Sequence, residues 1–297
     1  MIGLRRREGI ARLRGRVRSS GVPRRASSVQ RIAAVVRAIA AVGLAAACQS
    51  APSVAPVAVP APVPAPPPRA ASPIDRAQQI VVVTTADWDS TTGVLRRFER
   101  PSASAEWRSV GVPAAIVTGR TGLAWGVGFD SLSIQPTAPH KHEGDGRSPA
   151  GAFPLDTLFG YANDLPVAAL RMPYVALDEM SDCVDDVESV HYNTVVSRTA
   201  VPRVDWTSAE HMRAIGQYRI GVIVGYNATP PVKGRGSCIF LHIWAGPAST
   251  TAGCTALDAA ALADIVLWLD RSRSPMLVQL PEREYERLRG AWSLPPI

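Results

Sequence analysis

Long hydrophobic runs, charged side chains and aromatic residues are all scarce in this sequence. Its 297 residues are 19% charged and 6% aromatic, and it has four cysteines. No stretch approaches the roughly 20 consecutive apolar residues of a membrane-spanning helix. This excludes an integral membrane protein built from helices.

Basic side chains are sparse over most of the chain, although the formal net charge is +7. The first 37 residues hold eleven Arg and one Glu, which leaves 21 basic and 24 acidic side chains for residues 38–297. A body with this slight acidic excess lacks the positive surface that attracts nucleic acid. We therefore expect no nucleic-acid partner.

The basic segment leads into a short apolar stretch, as in an export signal. Residues 38–47 read Ala-Ile-Ala-Ala-Val-Gly-Leu-Ala-Ala-Ala, and Cys48 follows. This order is typical of a secretory signal peptide, which we predict over residues 1–47. The small residues before Cys48 also resemble the lipobox of bacterial lipoproteins, whose Cys becomes the lipidated N-terminus. This predicts a periplasmic protein anchored to a membrane through Cys48; an ordinary signal peptide with an incidental Cys48 is the alternative.

Proline dominates the next segment. Eight of the eighteen residues 51–68 are Pro. Because proline fixes φ and removes an amide donor, neither a helix nor a central strand can form there. We predict a linker over residues 48–72, extended as polyproline II at about 3.1 Å per residue.

Short β-branched runs and Gly/Pro turns characterise the remaining residues, 73–297. They predict one domain of the α+β class that is mostly β, with a few short helices. The predicted strands are 80–85, 107–111, 114–118, 174–177, 218–224, 238–244 and 276–280. Helices are predicted over 208–217 and 258–269, the second with an amphipathic stripe of Leu and Ile.

Three cysteines lie in this domain, in different surroundings. Cys183 follows an Asp in an acidic loop, Cys238 begins an apolar strand, and Cys254 lies between a strand and a helix. An exposed spare thiol is a liability in an oxidising compartment. Our hypothesis is a disulfide between Cys183 and Cys238, with Cys254 kept reduced for chemistry; three independent buried thiols are the alternative.

Cys254 has the neighbours that a nucleophile needs. A nucleophilic Cys reacts as the thiolate, which requires a proton acceptor nearby. His242 lies on a predicted strand twelve residues earlier and could take the proton. Gly253 would let the backbone approach a substrate, and the amides of Gly253 and Cys254 could stabilise an oxyanion. Coincidence with ordinary packing is the alternative to this catalytic interpretation.

These residues resemble the catalytic domain of the L,D-transpeptidases, the YkuD-type fold. That family has a His followed, after a gap in the mid-teens, by Ser/Thr-His-Gly-Cys. Here His242 precedes Thr251-Ala252-Gly253-Cys254 with a gap of eight residues, and Ala252 stands in place of the second His. Residues 141–153, which end in Pro-Ala-Gly-Ala-Phe, and the strand segment 236–242 are also similar to family segments. The resemblance covers most of residues 80–280.

The resemblance implies a YkuD-like β-sandwich or barrel that needs neither metal nor organic cofactor. Cys254 would attack the bond between diaminopimelate and D-Ala in a peptidoglycan stem peptide, with His242 as general base and acid. The acyl group would then pass to an amine acceptor. A carboxypeptidase or endopeptidase on the same scaffold and an inactive cell-wall-binding module are the alternatives. A zinc peptidase using His140 and His142 is the least favoured one.

Four further residues are candidates for substrate binding. Thr251 belongs to the motif itself, and Arg235 precedes the His242 strand, where it could pair with a substrate carboxylate. Tyr226 and Asn227 are candidates for the cleft, with core and turn roles as the alternative. The oligomeric state and the acyl acceptor are left open.

Overall fold

The structure describes nearly all of the predicted domain. The computed structural model describes residues 72–132, 135–161 and 166–297, which belong to one compact unit, Ala65–Ile297. The predicted signal peptide, Cys48 and all of the linker except its last residue lie outside the described residues.

Strands outnumber helices in the described part of the chain. The two α-helices are α1 (Ala259–Trp268) and α2 (Glu282–Trp292). The strands are β1 (Gln79–Thr85), β2 (Thr92–Glu99), β3 (Arg108–Val117), β4 (Leu123–Trp125), β5 (Ser148–Gly160), β6 (Tyr174–Ala176), β7 (Ser181–Val184), β8 (Val195–Ser197), β9 (Ala209–His211), β10 (Ile220–Val224), β11 (Phe240–Ile243), β12 (Thr255–Leu257) and β13 (Met276–Pro281). Short 3₁₀ turns occupy Asp130–Leu132, Val167–Ala169, Met212–Ala214, Gly216–Arg219 and Arg271–Arg273.

The main sheet closes on itself as a barrel. Its strand order is β10-β11-β12-β3-β2-β1-β13-β5, and β5 pairs again with β10. The β1–β13 and β11–β12 pairs within this ring are parallel. Strands β8, β7 and β9 form a second, three-stranded sheet. This confirms the prediction of a mostly β, α+β fold.

The side chains of β1 alternate between the two faces of the barrel wall, and both faces are buried. Val81 and Val83 point into one apolar cluster, which α1 also joins through Leu262, Ile265 and Val266. Ile80 and Val82 point into a second cluster, which α2 covers through Tyr285, Leu288 and Trp292. A strand buried on both faces has a continuous apolar sequence, which is why β1 is recognisable from the sequence.

The predictions for the two helical segments had different outcomes. Helix α1 begins one residue after Asp258, whose carboxylate accepts from the Ala260 and Ala261 amides as an N-cap. The helix predicted over 208–217 is wrong. Residues 209–211 instead pair with β7 as strand β9, and two 3₁₀ turns follow. Helix α2 was not predicted.

The first residues of β10 and β11 also differ from the prediction. The strand expected from 218 begins at Ile220 after a 3₁₀ turn, and the strand expected from Cys238 begins at Phe240. Cys238 has a φ of +54°, a left-handed conformation that interrupts a strand. Among the described residues, no helix combines the length and apolar character needed to cross a bilayer.

Candidate active site

The parallel pairing of β11 and β12 brings His242 and Cys254 to one face of the barrel wall. Leu241 is in register with Thr255, so Cys254 lies beside Phe240. Positions 240 and 242 of a strand share a face. His242 and Cys254 line the same cavity, of about 180 Å³.

Hydroxyl groups hold the backbone of the nucleophile in place. The Cys254 carbonyl accepts a hydrogen bond of 2.6 Å from the Thr251 hydroxyl and one of 2.7 Å from the Ser148 hydroxyl. Ser148 is fully buried and also accepts from the Gly119 amide at 2.9 Å. Three segments distant in sequence therefore fix the position of Cys254.

The Cys254 sulfur lies in apolar surroundings with two backbone partners. Its thiol donates to the Cys238 carbonyl, and the Phe240 amide donates to its Sγ, both at 3.3 Å. Burial raises the pKa of this thiol well above its ordinary value, and the charge of Glu210 raises it further. The thiol is therefore the resting form, and the Phe240 amide is a donor ready for a developing thiolate.

The His242 ring has a defined tautomer. Its Nδ1 lies 2.8 Å from the Ile243 carbonyl, which can only accept, so Nδ1 carries the hydrogen and Nε2 of the neutral ring is the acceptor. The Tyr218 ring packs edge-on against the imidazole, with centroids 5.1 Å apart. Burial lowers the pKa of His242, which keeps the ring neutral and able to act as a base.

Cys254 borders two cavities. The cavity that contains His242 also has Tyr218 and Trp244 in its wall. The other, of about 160 Å³, is charged: its wall contains Arg120, Lys141, Glu143 and Asp185. Cys254, Ala252 and Glu210 border both cavities. A thiolate at this position can therefore be approached from two sides.

Gly253 differs from the sequence-based expectation. The Gly253 amide donates to the Thr251 hydroxyl at 3.1 Å, so it is engaged within the turn and does not point to an oxyanion. A Cβ at Gly253 would lie 3.1 Å from the Arg147 carbonyl, so the close approach is to protein backbone. Cys254 precedes strand β12 and not a helix, since α1 begins five residues later.

Neither cavity is lined by Tyr226, Asn227 or Arg235, the other candidates for substrate binding. Their polar groups brace a loop, and a role in substrate binding stays a prediction. The Tyr226 hydroxyl donates to the Arg235 carbonyl, and the Asn227 amide donates to the Val232 and Gly236 carbonyls. The Arg235 Nε donates to the Lys141 carbonyl at 2.9 Å. Thr251 does line the His242 cavity, although its hydroxyl is used in the turn.

Cys183 and Cys238 form a disulfide, the pairing expected from the sequence. Their Cα atoms lie 5.9 Å apart, and Cys254 is the free cysteine of the described residues. The bond ties β7 of the small sheet to the segment that leads into β11. The residue whose carbonyl accepts from the Cys254 thiol is thus also the one that is cross-linked.

The chain matches no protein-family model, no curated protein and no solved structure. The resemblance noted above therefore depends on the residues around Cys254 and His242. No group of three or more His, Cys, Asp or Glu side chains in the described segments is arranged to hold a metal ion. His142 lies in the turn before β5, where its amide donates to Asp145.

Sequence reasoning missed three residues of this site. Ser148 lies in the segment already noted for its family resemblance, but only the fold shows that its hydroxyl reaches Cys254. Tyr218 was assigned to a strand and Glu210 to a helix. Their hydroxyl and carboxyl groups meet beside Cys254 at 2.6 Å, a contact that no spacing along the chain indicates.

Proposed function

We propose that the protein is a peptidoglycan L,D-transpeptidase with Cys254 as nucleophile and His242 as general base. One observation carries the proposal: Cys254 and His242 line one cavity, and the ring tautomer leaves Nε2 as a proton acceptor. The motif resemblance supplies the substrate class, a stem peptide with an L,D-configured bond.

The proposed reaction begins from a neutral pair, since burial raises the pKa of Cys254 and lowers that of His242. As the sulfur attacks the stem-peptide carbonyl, its proton passes to Nε2 of His242. The carbonyl electron pair forms an oxyanion, for which the Cys254 amide is the candidate donor. Collapse expels D-Ala, whose amine takes the proton from His242 and leaves a thioester on Cys254.

Transfer is favoured over hydrolysis by the two cavities that border Cys254. An acyl transferase must bring a second substrate to the thioester carbonyl, while a hydrolase needs only water there. The charged cavity, of about 160 Å³, borders Cys254 in addition to the cavity that contains His242, and we assign it to the amine end of an acceptor. The acceptor amine would attack the thioester and restore the Cys254 thiol.

We further propose that the enzyme works in the periplasm, held to a membrane by a lipid on Cys48. The disulfide between Cys183 and Cys238 supports an oxidising compartment. The export signal and the Pro-rich linker of the sequence agree with this location. Mass analysis of the processed N-terminus tests the anchor, and an unmodified terminus downstream of Cys48 would contradict it.

The experiment that tests the function combines a mass measurement with product analysis. Carbapenem treatment of the parent protein should give a covalent adduct, which Cys254→Ala abolishes. On purified sacculi the parent should produce new L,D cross-links, and His242→Asn should lose at least about 100-fold in rate, the usual contribution of a general base.

His142→Asn is the matched control, because His142 is an exposed histidine outside both cavities. It should keep full activity. Loss of the fourth stem residue without new cross-links would indicate the hydrolase instead. An unreactive Cys254 in folded protein would indicate the inactive binding module.

A further inference from the structure

Glu210 lies beside Cys254, although no sequence motif includes it. It is the central residue of strand β9, paired with Cys183 of β7. Its side chain borders both of the cavities that Cys254 borders. The mechanism proposed above assigns it no role.

Tyr218 connects this carboxyl to the nucleophile. Its hydroxyl donates to Glu210 Oε2 at 2.6 Å. Tyr218 also packs in one buried cluster with Cys254 and lines the same cavity, and each of the two groups shifts the pKa of the other. A phenol has one hydrogen to donate. The Tyr218 hydroxyl can therefore donate a hydrogen bond either to the Glu210 carboxylate or to a Cys254 thiolate, but not to both.

The protonation state of Glu210 decides between these two arrangements. Burial raises the pKa of Glu210 to about 7, with smaller contributions from the charges of Asp185 and Glu143. Burial also raises the pKa of Tyr218 well above its ordinary value, so the phenol keeps its hydrogen throughout. Near neutral pH, Glu210 is thus present both as the carboxylate, which accepts a hydrogen bond, and as the carboxylic acid, which can donate one.

Charged and titratable groups surround Glu210 from several elements. Tyr218 belongs to the 3₁₀ turn before β10, and Cys254 and His242 lie on the barrel wall. The loops that border the charged cavity contribute Arg120, Lys141, Glu143 and Asp185. Two of these groups, Glu143 and Asp185, are carboxylates, whose negative charge disfavours ionisation of Glu210.

We propose that Glu210 is a positioning residue that, in its protonated form, turns the Tyr218 hydroxyl toward the Cys254 sulfur and so stabilises the thiolate. The Glu210 O–H donates to Tyr218 Oη, and the Tyr218 O–H donates to the thiolate, while the thiol proton resides on His242. No proton leaves the set. When Glu210 ionises, the Tyr218 hydrogen returns to the carboxylate and the thiolate loses a donor.

The inference rests on the nucleophile of the proposed function but requires no peptidoglycan for its test. The measurement is the rate of alkylation of Cys254 by iodoacetamide in the full chain between pH 5.5 and 9, read by peptide mass mapping. Alkylation reports the thiolate. Failure of transpeptidation with these rates intact would overturn the substrate class and leave this inference standing.

Glu210→Gln is the decisive variant, because the Gln amide donates permanently to Tyr218 Oη at any pH. Its alkylation rate should equal that of the parent near pH 5.5 and exceed it about tenfold above pH 8, with the midpoint near pH 7. Tenfold corresponds to about 1.4 kcal/mol, the strength of a hydrogen bond to a charged group. Glu188→Gln is a matched change of an exposed carboxylate. Its alkylation rate should equal that of the parent at every pH.

Tyr218→Phe separates orientation of the hydroxyl from simple charge repulsion. In the Tyr218→Phe background, Glu210→Gln should lose most of its alkaline advantage. An advantage that persists in full would mean that Glu210 acts directly on the sulfur by its charge, which overturns the role of Tyr218. The inference would be overturned altogether if the alkylation rate of Glu210→Gln, divided by that of the parent, did not change with pH.

The parent protein provides a second test if Glu210→Gln does not fold. The rate advantage of the parent over Tyr218→Phe should be large at pH 6 and vanish above pH 8. An advantage that is the same at both pH values would contradict the inference, since it would make the Tyr218 hydroxyl independent of Glu210.

Discussion

Removal of the disulfide between Cys183 and Cys238 should destabilise the folded protein by about 4 kcal/mol. The two cysteines are 55 residues apart in sequence and both are buried. Closing a loop of this length in the unfolded chain gives about 4 kcal/mol in the chain-entropy description. We expect the double variant Cys183→Ala/Cys238→Ala to lose this amount of unfolding free energy.

Urea unfolding followed by tryptophan fluorescence measures this loss. The unfolded state of the double variant is less constrained and exposes more surface, so the dependence of the unfolding free energy on urea should steepen as the midpoint falls. The oxidised parent is the reference, and the parent with reductant should behave as the double variant does.

A loss below about 1 kcal/mol with an unchanged urea dependence would refute this reasoning. It would mean that non-covalent contacts alone hold the small sheet of β7, β8 and β9 against the barrel. The consequence would extend to the site, because the Cys238 carbonyl accepts from the Cys254 thiol.

Three further changes test the framework of the site. Ser148→Ala leaves the buried Gly119 amide without its acceptor and should lower the unfolding free energy by about 2 kcal/mol; an unchanged urea midpoint would contradict this. Asp258→Ala removes the N-cap of α1 and should cost about 1 kcal/mol in thermal unfolding, whereas Asp264→Ala on the exposed face of α1 should cost little. Burial in the folded state raises the pKa of Glu210 from 4.5 to about 7. Ionisation of this carboxyl therefore does not lower the free energy of unfolding below pH 4.5, and it lowers that free energy increasingly as the pH rises to 7. Glu210→Gln should therefore gain stability relative to the parent over that range, by on the order of 2–3 kcal/mol, and a pH-independent difference in urea unfolding would refute it.

The candidate nucleophile and base could be predicted because the chain itself brings them together. His242 lies on β11, and Cys254 immediately precedes β12, the parallel neighbour that a short connection joins to β11, so their proximity is nearly local. The same holds for α1, whose Asp258 cap and apolar stripe are contiguous. The pairing of Cys183 with Cys238 could be predicted from chemistry, since the expectation of an oxidising compartment disfavours a spare exposed thiol among the three cysteines of the domain.

The segment 208–217 shows why local patterns failed elsewhere. Ser208 is a plausible N-cap and favours a helix, but residues 209–211 pair with the edge of β7. Pairing with a strand more than twenty residues away outweighed the local preference for a helix. Glu210 consequently occupies a strand position beside the nucleophile, where a helix would have oriented it differently.

Local patterns in the amino-acid sequence were enough to predict the mostly β body, strand β1, helix α1 and the candidate residues His242 and Cys254. These features depend on side-chain periodicity and on short connections, which are properties of contiguous residues. Other contacts are visible in the folded chain alone: Ser148 holds the backbone of Cys254, Tyr226 and Asn227 brace a loop, and Glu210 and Tyr218 meet beside Cys254. Those contacts join segments that barrel closure brings together, and their electrostatics arise from a burial that exists only once the barrel has closed.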